Sequence, residues 1–135
     1  MALLTWTKEG FGTNVSEPDQ QHQTLFDMLN KLHDTASSGD RKAIGEQLDG
    51  LIAFVAKHFE TEEKLMQQHG YPSYDGHKAE HDKLVQTCVD LQKKFHAGEA
   101  EVTTETTAFV ADWLKDHIPN IDKQYGPFFN GKGVN

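Results

Sequence analysis

The sequence predicts an all-α protein, an up-down-up-down four-helix bundle with an N-terminal arm. Four segments repeat apolar residues with the helical period, their connections are short, and alternating runs typical of strands between tight turns are missing from the sequence. Short connections favour antiparallel neighbours. With 135 residues, the chain suits one core. We therefore expect a single domain over residues 1–135, with an arm at 1–17, a bundle at about 18–118 and a C-terminal tail at about 123–135.

The first two predicted helices have clear boundary signals. The first spans about Pro18–Ser37, with Ser16 as the expected N-cap. The second spans about Asp40–Gln68 and starts at an N-capping aspartate, while Gly70 suits its C-terminal cap. Their apolar stripes comprise Leu25, Phe26, Leu29, Leu32 and Ala36, and then Ile44, Leu48, Leu51, Ile52, Val55, Phe59, Leu65 and Met66.

The other two predicted helices complete the bundle. The third spans about Asp75–His96, and the fourth starts at Thr103 or Thr104 and is limited by Pro119. The arm is expected to pack across the bundle, and the segment after Phe129 is expected to be loose. The inward residues predicted for these segments are Leu84, Val85, Cys88, Leu91 and Phe95, then Phe109, Val110, Trp113, Leu114 and Ile118, and in the arm Leu3, Leu4, Trp6 and Phe11.

Composition excludes several classes of protein. The formal charge of -8 and the pI near 5.4 argue against nucleic-acid binding, because an acidic surface repels phosphates. The sequence contains no run of about 20 apolar residues, so no membrane span is expected. The N-terminal stretch lacks the pattern of a secretory signal. Cys88 is the single cysteine, which fits a reducing cytoplasm, and the acidic charge is compatible with a monomer.

Six ionisable residues fall on the predicted apolar stripes. A single inward histidine is usually a hydrogen-bonded core residue, but five inward histidines with a carboxylate are costly to bury unless they are paired or ligated. They lie near the starts of the first and third helices and the ends of the second and fourth. Antiparallel packing brings these ends together, so the sequence predicts one cluster, which contains His22, His58, Glu62, His77, His81 and His117.

Asp122 is a candidate seventh member of this cluster. It follows His117 by five residues, which on a regular helix places it about 140° away. A break in helical geometry near Pro119 would bring it inward, and otherwise it is a solvent-facing residue; the residues alone leave both interpretations open. The remaining histidines, His33, His69 and His96, are interpreted as structural or exposed.

The donor set indicates iron. Seven ligands are too many for one tetrahedral zinc, and imidazole with carboxylate suits iron better than calcium or magnesium. Two six-coordinate irons offer about twelve positions, and five histidines, two bridging carboxylates and one bridging oxide or hydroxide leave a single open one. Ferritin-like di-iron bundles have four carboxylates, whereas this set has two. We therefore expect less stabilisation of high-valent iron, so that O2 binds reversibly or is reduced no further than peroxide.

Four motifs resemble those of the hemerythrin family, and more closely the single-domain bacteriohemerythrins: "DQQH", "HFETEE", "GYPSYDGHKAEH" and "WLKDHIPNID". The resemblance covers nearly the whole chain. It implies two iron ions per chain in an oxo- or hydroxo-bridged di-iron centre. In that resemblance His77, His81 and His117 hold one iron, His22 and His58 hold the other, which binds O2, and Glu62 and Asp122 bridge them. Leu114 is implied to line the O2 pocket, and we expect Trp113, Phe26, Phe59 and Ile118 beside it.

The function expected from these features is reversible O2 binding without catalysis, for transport, storage or supply to an O2-consuming enzyme. Three alternatives stay open at this point. They are O2 or redox sensing, a di-iron enzyme that handles peroxide or nitric oxide, and iron storage. A purely structural metal is the simplest competing interpretation.

Overall fold

The computed structural model describes residues 3–135; residues 1 and 2 of the predicted arm lie outside the described residues. Four long helices, α2 (Ser16–Ala36), α3 (Arg41–His69), α4 (Tyr74–His96) and α5 (Thr104–Asn120), form the predicted up-down-up-down bundle. α2 packs against α3 and α5, and α3 packs against α4. Residues 3–135 contain no β-strand, and none of their helices is long and apolar enough to cross a membrane. The helices are α1 Lys8–Phe11, α2 Ser16–Ala36, α3 Arg41–His69, α4 Tyr74–His96, α5 Thr104–Asn120 and α6 Tyr125–Gly131, with a 3-10 turn at Asp122–Gln124 before α6.

The helix ends follow local chemistry, with one correction. The Asp40 side chain accepts a hydrogen bond from the backbone N–H of Ala43, and Gly70 ends α3 in the left-handed region at φ 70°. α2, however, begins at Ser16, so the prediction that Ser16 caps a helix starting at Pro18 was wrong. Val15 occupies the cap position without a side-chain hydrogen bond.

The bundle interior contains most of the predicted stripe residues, whereas Leu65 and Met66 near the end of α3 pack in a separate apolar cluster. Leu25, Phe26, Leu29 and Leu32 of α2 are buried against α3 and α5 residues in one continuous apolar core. Phe109 was predicted to face inward but is 52% exposed. It lies one turn before Trp113, which is itself only half-buried, so this edge of the α5 stripe faces outward.

The N-terminal arm packs across the bundle as predicted. Leu4 is buried, and Trp6 and Phe11 pack against the same core. The backbone N–H of Leu4 donates to Oδ1 of Asn30 at 2.8 Å, and Nδ2 of Asn30 donates to the Leu4 carbonyl at 2.7 Å. This pair of bonds attaches the arm to the middle of α2.

The C-terminal segment is ordered into helix where the sequence suggested a tail. Residues 125–131 form α6, and Tyr125 and Phe129 are fully buried. They pack with Val15, Met66 and Tyr71 in a second apolar cluster below the bundle end. α6 also lies tightly against the arm, because a Cβ added at Gly126 would lie 2.2 Å from the carbonyl oxygen of Thr13.

Candidate metal centre

One end of the bundle gathers the ionisable residues that the sequence placed inward. His22 comes from α2, His58 and Glu62 from α3, His77 and His81 from α4, and His117 from α5. Each is at most 3% exposed. The predicted convergence of these six residues is therefore found in the structure.

Asp122 joins this cluster because the helix ends just before it. α5 continues through Pro119 to Asn120, so the proline does not stop the helix where the sequence suggested. Ile121 then leaves helical geometry at φ -113° and ψ -57°, and a 3-10 turn begins at Asp122. Asp122 is 1% exposed and faces the histidines. Of the two interpretations that the sequence left open, the inward one is found.

The cluster divides into two groups of four candidate metal ligands, with Asp122 common to both. One group contains His77, His81 and His117, and the other contains His22, His58 and Glu62; in each group the donor atoms lie within 4.8 Å of one another. Such spacing is that of side chains arranged around a single ion, so the geometry provides two adjacent metal positions.

The two carboxylates lie between these groups. Oε2 of Glu62 is 3.5 Å from Nε2 of His22 and 3.4 Å from Nε2 of His58, while its Oε1 is 3.5 Å from Nε2 of His77 and 3.2 Å from Nε2 of His81. Each oxygen of Glu62 thus faces one group.

The two carboxylate oxygens of Asp122 also face different groups. Its Oδ2 is 3.2 Å from Nε2 of His22, and its Oδ1 is 2.9 Å from Nε2 of both His77 and His117. Both carboxylates are therefore positioned to bridge two ions.

Several donor atoms of the cluster are buried without a hydrogen-bond partner. An unsatisfied buried polar group costs about 1–3 kcal/mol. A group of such atoms in one place therefore needs an explanation. Imidazole nitrogen and carboxylate oxygen form the donor set that suits iron, and bound cations would satisfy all of these atoms together. The atoms are Nε2 of His22, His77, His81 and His117, Oε1 of Glu62 and Oδ1 of Asp122.

Without metal, the histidines and carboxylates of the cluster shift one another's pKa values. Burial opposes protonation of His22, but the adjacent carboxylates of Asp122 and Glu62 outweigh it and raise its pKa to about 10. The same balance raises the pKa of His77 to about 9. Burial opposes ionisation of Asp122, yet its histidine partners hold its pKa below the usual range. Metal ions that bind here would displace these protons.

Two histidines are oriented by hydrogen bonds on the side away from the cluster. Nδ1 of His58 lies 2.6 Å from Oε1 of Gln21, and Nδ1 of His81 lies 2.9 Å from Oε2 of Glu63. Such partners fix the ring so that Nε2 points to the metal and make the nitrogen a better donor. Sequence reasoning did not single out Gln21 or Glu63; their positions next to His22 and Glu62 were the only available signal.

Tyr125 is the other residue that sequence reasoning missed. Its hydroxyl donates to Oε2 of Glu62 at 2.5 Å, and both side chains are fully buried. Burial and the nearby carboxylates raise the pKa of Tyr125 well above its usual value, so the phenol stays protonated as a donor. Tyr125 thereby holds the carboxylate that faces both groups.

Aromatic rings support two more of the histidines. The Phe59 ring stacks on His81 with centroids 3.7 Å apart and 2° between the planes. Trp113 stacks on His117 at 4.2 Å and 15°. The other residues predicted to line an O2 pocket, Phe26, Leu114 and Ile118, are buried in the adjacent core.

The other histidines lie outside this cluster. Nδ1 of His33 is 2.6 Å from Oγ1 of Thr107, and Nε2 of His96 is 2.8 Å from Oδ1 of Asp49. The His69 ring packs edge-on against Phe129. These contacts fit the structural or surface roles predicted for them.

Residues 13–129 match the family described as the Hemerythrin HHE cation binding domain. This chain belongs to the hemerythrin family. It is 64% identical over 127 residues to the bacteriohemerythrin of Methylococcus capsulatus. The aligned region covers 94% of this chain and 97% of that protein. The bacteriohemerythrin of Stenotrophomonas maltophilia is 34% identical over 93% of this chain and 80% of its own length.

Solved hemerythrin structures have the same fold. A crystal structure of wild-type hemerythrin matches with a TM-score of 0.93 at 63% identity, over 93% of this chain and 97% of the other. The structure of an L114A mutant of hemerythrin matches with the same TM-score and identity, over 94% of this chain. The hemerythrin fold predicted from the sequence is thus confirmed.

Proposed function

We propose that this hemerythrin binds O2 reversibly at a di-iron centre. His77, His81 and His117 would hold one iron, His22 and His58 would hold the other, and Glu62 and Asp122 would reach both. Membership of the hemerythrin family and the match to a cation-binding domain support this function. The donor set supports the choice of metal, since the buried imidazoles and carboxylates suit iron.

The unequal number of histidines in the two groups is the observation that carries the function. Three histidines belong to one group and two to the other. Asp122 is common to both groups, and Oε1 of Glu62 also faces His77 and His81. A metal held by His22 and His58 would have one histidine donor fewer than a metal held by His77, His81 and His117. That position would therefore be the one left open to a small ligand such as O2.

The chain itself contributes orientation and exclusion of water. A bound iron pair would supply electrons to O2 on binding and would take them back on its release. Gln21 and Glu63 fix two imidazoles, and Tyr125 fixes Glu62. We propose that Leu114, Phe26 and Ile118, together with Phe59 and Trp113, form the apolar wall of the O2 pocket. An apolar wall limits proton delivery to bound O2 and so favours release over further reduction.

We propose a physiological role in O2 transport, in storage, or in supply to an O2-consuming enzyme. The relatives named bacteriohemerythrin support a binding protein over an enzyme. The single free cysteine, Cys88, is compatible with a reducing cytoplasm, and the net charge of -8 is compatible with a monomer.

The test is a cycle of O2 addition and removal on the iron-loaded protein. The protein is reduced without air, exposed to O2 and returned to vacuum while the visible spectrum is followed. Spectra that appear and disappear over repeated cycles support reversible binding. Irreversible oxidation, or O2 consumption over many turnovers, would overturn the carrier function in favour of an enzyme or iron store.

A further inference from the structure

A small apolar cavity lies inside the bundle, away from the metal centre. Its volume is about 30 Å³, and its walls come from all four long helices. Leu32, Leu51, Val55, Leu84, Cys88 and Val110 are among the residues that line it. A water molecule needs about 10–15 Å³ of such space, so the cavity has room for one small molecule and little more.

The cavity offers water no hydrogen bond. Only apolar atoms face its interior. Thr107 also lines it, but its hydroxyl is turned to the Thr104 carbonyl at 3.0 Å and lies 2.6 Å from Nδ1 of His33. Burial raises the pKa of the Cys88 thiol to about 11, so the thiol is neutral at physiological pH. A site without polar partners does not hold ordered water, whereas apolar cavities in proteins do take up gases such as xenon.

The position of the cavity relates it to the metal centre. Cys88 follows His81 by seven residues on α4, which is about 10 Å along the helix axis. Val55 and Leu84 each lie three residues from a histidine of the cluster, one helical turn away. Phe26 and Leu114 each lie one turn from a histidine of the cluster, on α2 and α5, and belong to the same apolar core as most of the residues that line the cavity.

The outer wall of the cavity lies where two neighbouring helices are least tightly joined. Within residues 3–135 the close backbone approaches among the long helices are those of α2 with α3, α3 with α4, and α2 with α5. α4 and α5 approach each other less. Cys88 and Leu91 of α4 and Val110 of α5 line the cavity at this seam and are only half-buried. A gas molecule can therefore enter here by small side-chain movements.

We propose that this cavity is a docking site for one small apolar gas molecule, and that in the cell its occupant is O2 on its way between the α4–α5 seam and the metal centre. Occupation of the cavity follows from its size and lining alone. Its part in O2 delivery rests on the proposed function. The two statements are tested separately.

Xenon tests occupation without involving iron. Crystals of the protein are pressurised with xenon, and anomalous diffraction locates the gas. We expect a xenon peak between Leu32, Leu51 and Cys88 in the native protein. The peak should disappear in the variant Cys88→Leu, whose larger side chain fills the space. An empty cavity under xenon, or ordered water in it, would overturn the proposal.

Rapid mixing of the reduced, iron-loaded protein with O2 tests delivery. Cys88→Leu should lower the O2 association rate constant, because it removes the docking site on the proposed entry path. Val89→Leu is the matched control, since Val89 is a half-buried neighbour on α4 that does not line the cavity. Equal rates in both variants, with xenon bound in the native protein, would refute the role in delivery. Absence of any reversible O2 binding would instead refute the proposed function and leave the xenon result standing.

Discussion

The hydrogen bond from Tyr125 to Glu62 gives a prediction whose size follows from the structure. Tyr125→Phe removes only the hydroxyl that donates to Oε2 of Glu62 at 2.5 Å and keeps the ring in the C-terminal apolar cluster. Both groups are fully buried, so water cannot replace the donor. Hydrogen bonds to a charged group contribute about 1.5–3 kcal/mol, and we expect a loss of this size in the free energy of unfolding.

Thermal unfolding followed by circular dichroism measures the effect. Unfolding entropy is about 2.1 cal/mol/K per residue, or about 0.28 kcal/mol/K for 135 residues. The expected loss then lowers Tm by about 5–11 °C, at equal iron content. Tyr74→Phe is the matched control, because Tyr74 packs against the same apolar cluster while Glu62 takes its bond from Tyr125. Equal Tm values for the two variants would refute the assigned role of Tyr125.

Three further predictions concern the ligands, the protons they hold and the C-terminal packing. His58→Ala should abolish O2 binding and lower iron content, whereas His81→Ala should mainly weaken the other iron; O2 titration and metal analysis that show no change in either would reject the ligand assignment. In metal-free protein the pKa of His22 is about 10 against an ordinary 6.5, so its stabilising contribution is complete below about pH 6.5 and is lost as pH rises through 10. Tm of the chelated protein should therefore fall between pH 7 and 10, and a rise over that range would contradict the assigned ion pairs. Gly126→Ala should destabilise the fold by about 1–3 kcal/mol through overpacking, while Gly76→Ala, which meets no atom within 4 Å, should be neutral or stabilising; urea unfolding that gives both the same change would refute the tight fit of α6.

The bundle and most of the cluster could be predicted because helical periodicity reports which way a side chain faces. His22 and His58 lie on the same stripes as Leu25 and Val55, so their burial follows from the same spacing that predicts the core. Antiparallel order then fixes which ends meet. The inward position of Asp122 depends on how α5 ends, and local sequence did not decide between the two interpretations.

The features that were missed depend on tertiary contacts. The stretch of α6, "YGPFFNG", is short and contains proline and glycine, so it has no periodic signal. It is helical because Tyr125 and Phe129 find buried partners under the metal centre. Phe109 shows the opposite error, since an apolar residue at the edge of a stripe need not be covered by a neighbouring helix.

We propose that this end of the bundle binds two irons between two shared carboxylates. Anomalous diffraction at the iron edge, from crystals of the iron-loaded protein, tests it most directly. We expect two iron peaks per chain, one among His77, His81 and His117 and the other beside His22 and His58, with oxygens of Glu62 and Asp122 reaching both. A single peak, or a signal at the zinc edge alone, would contradict it.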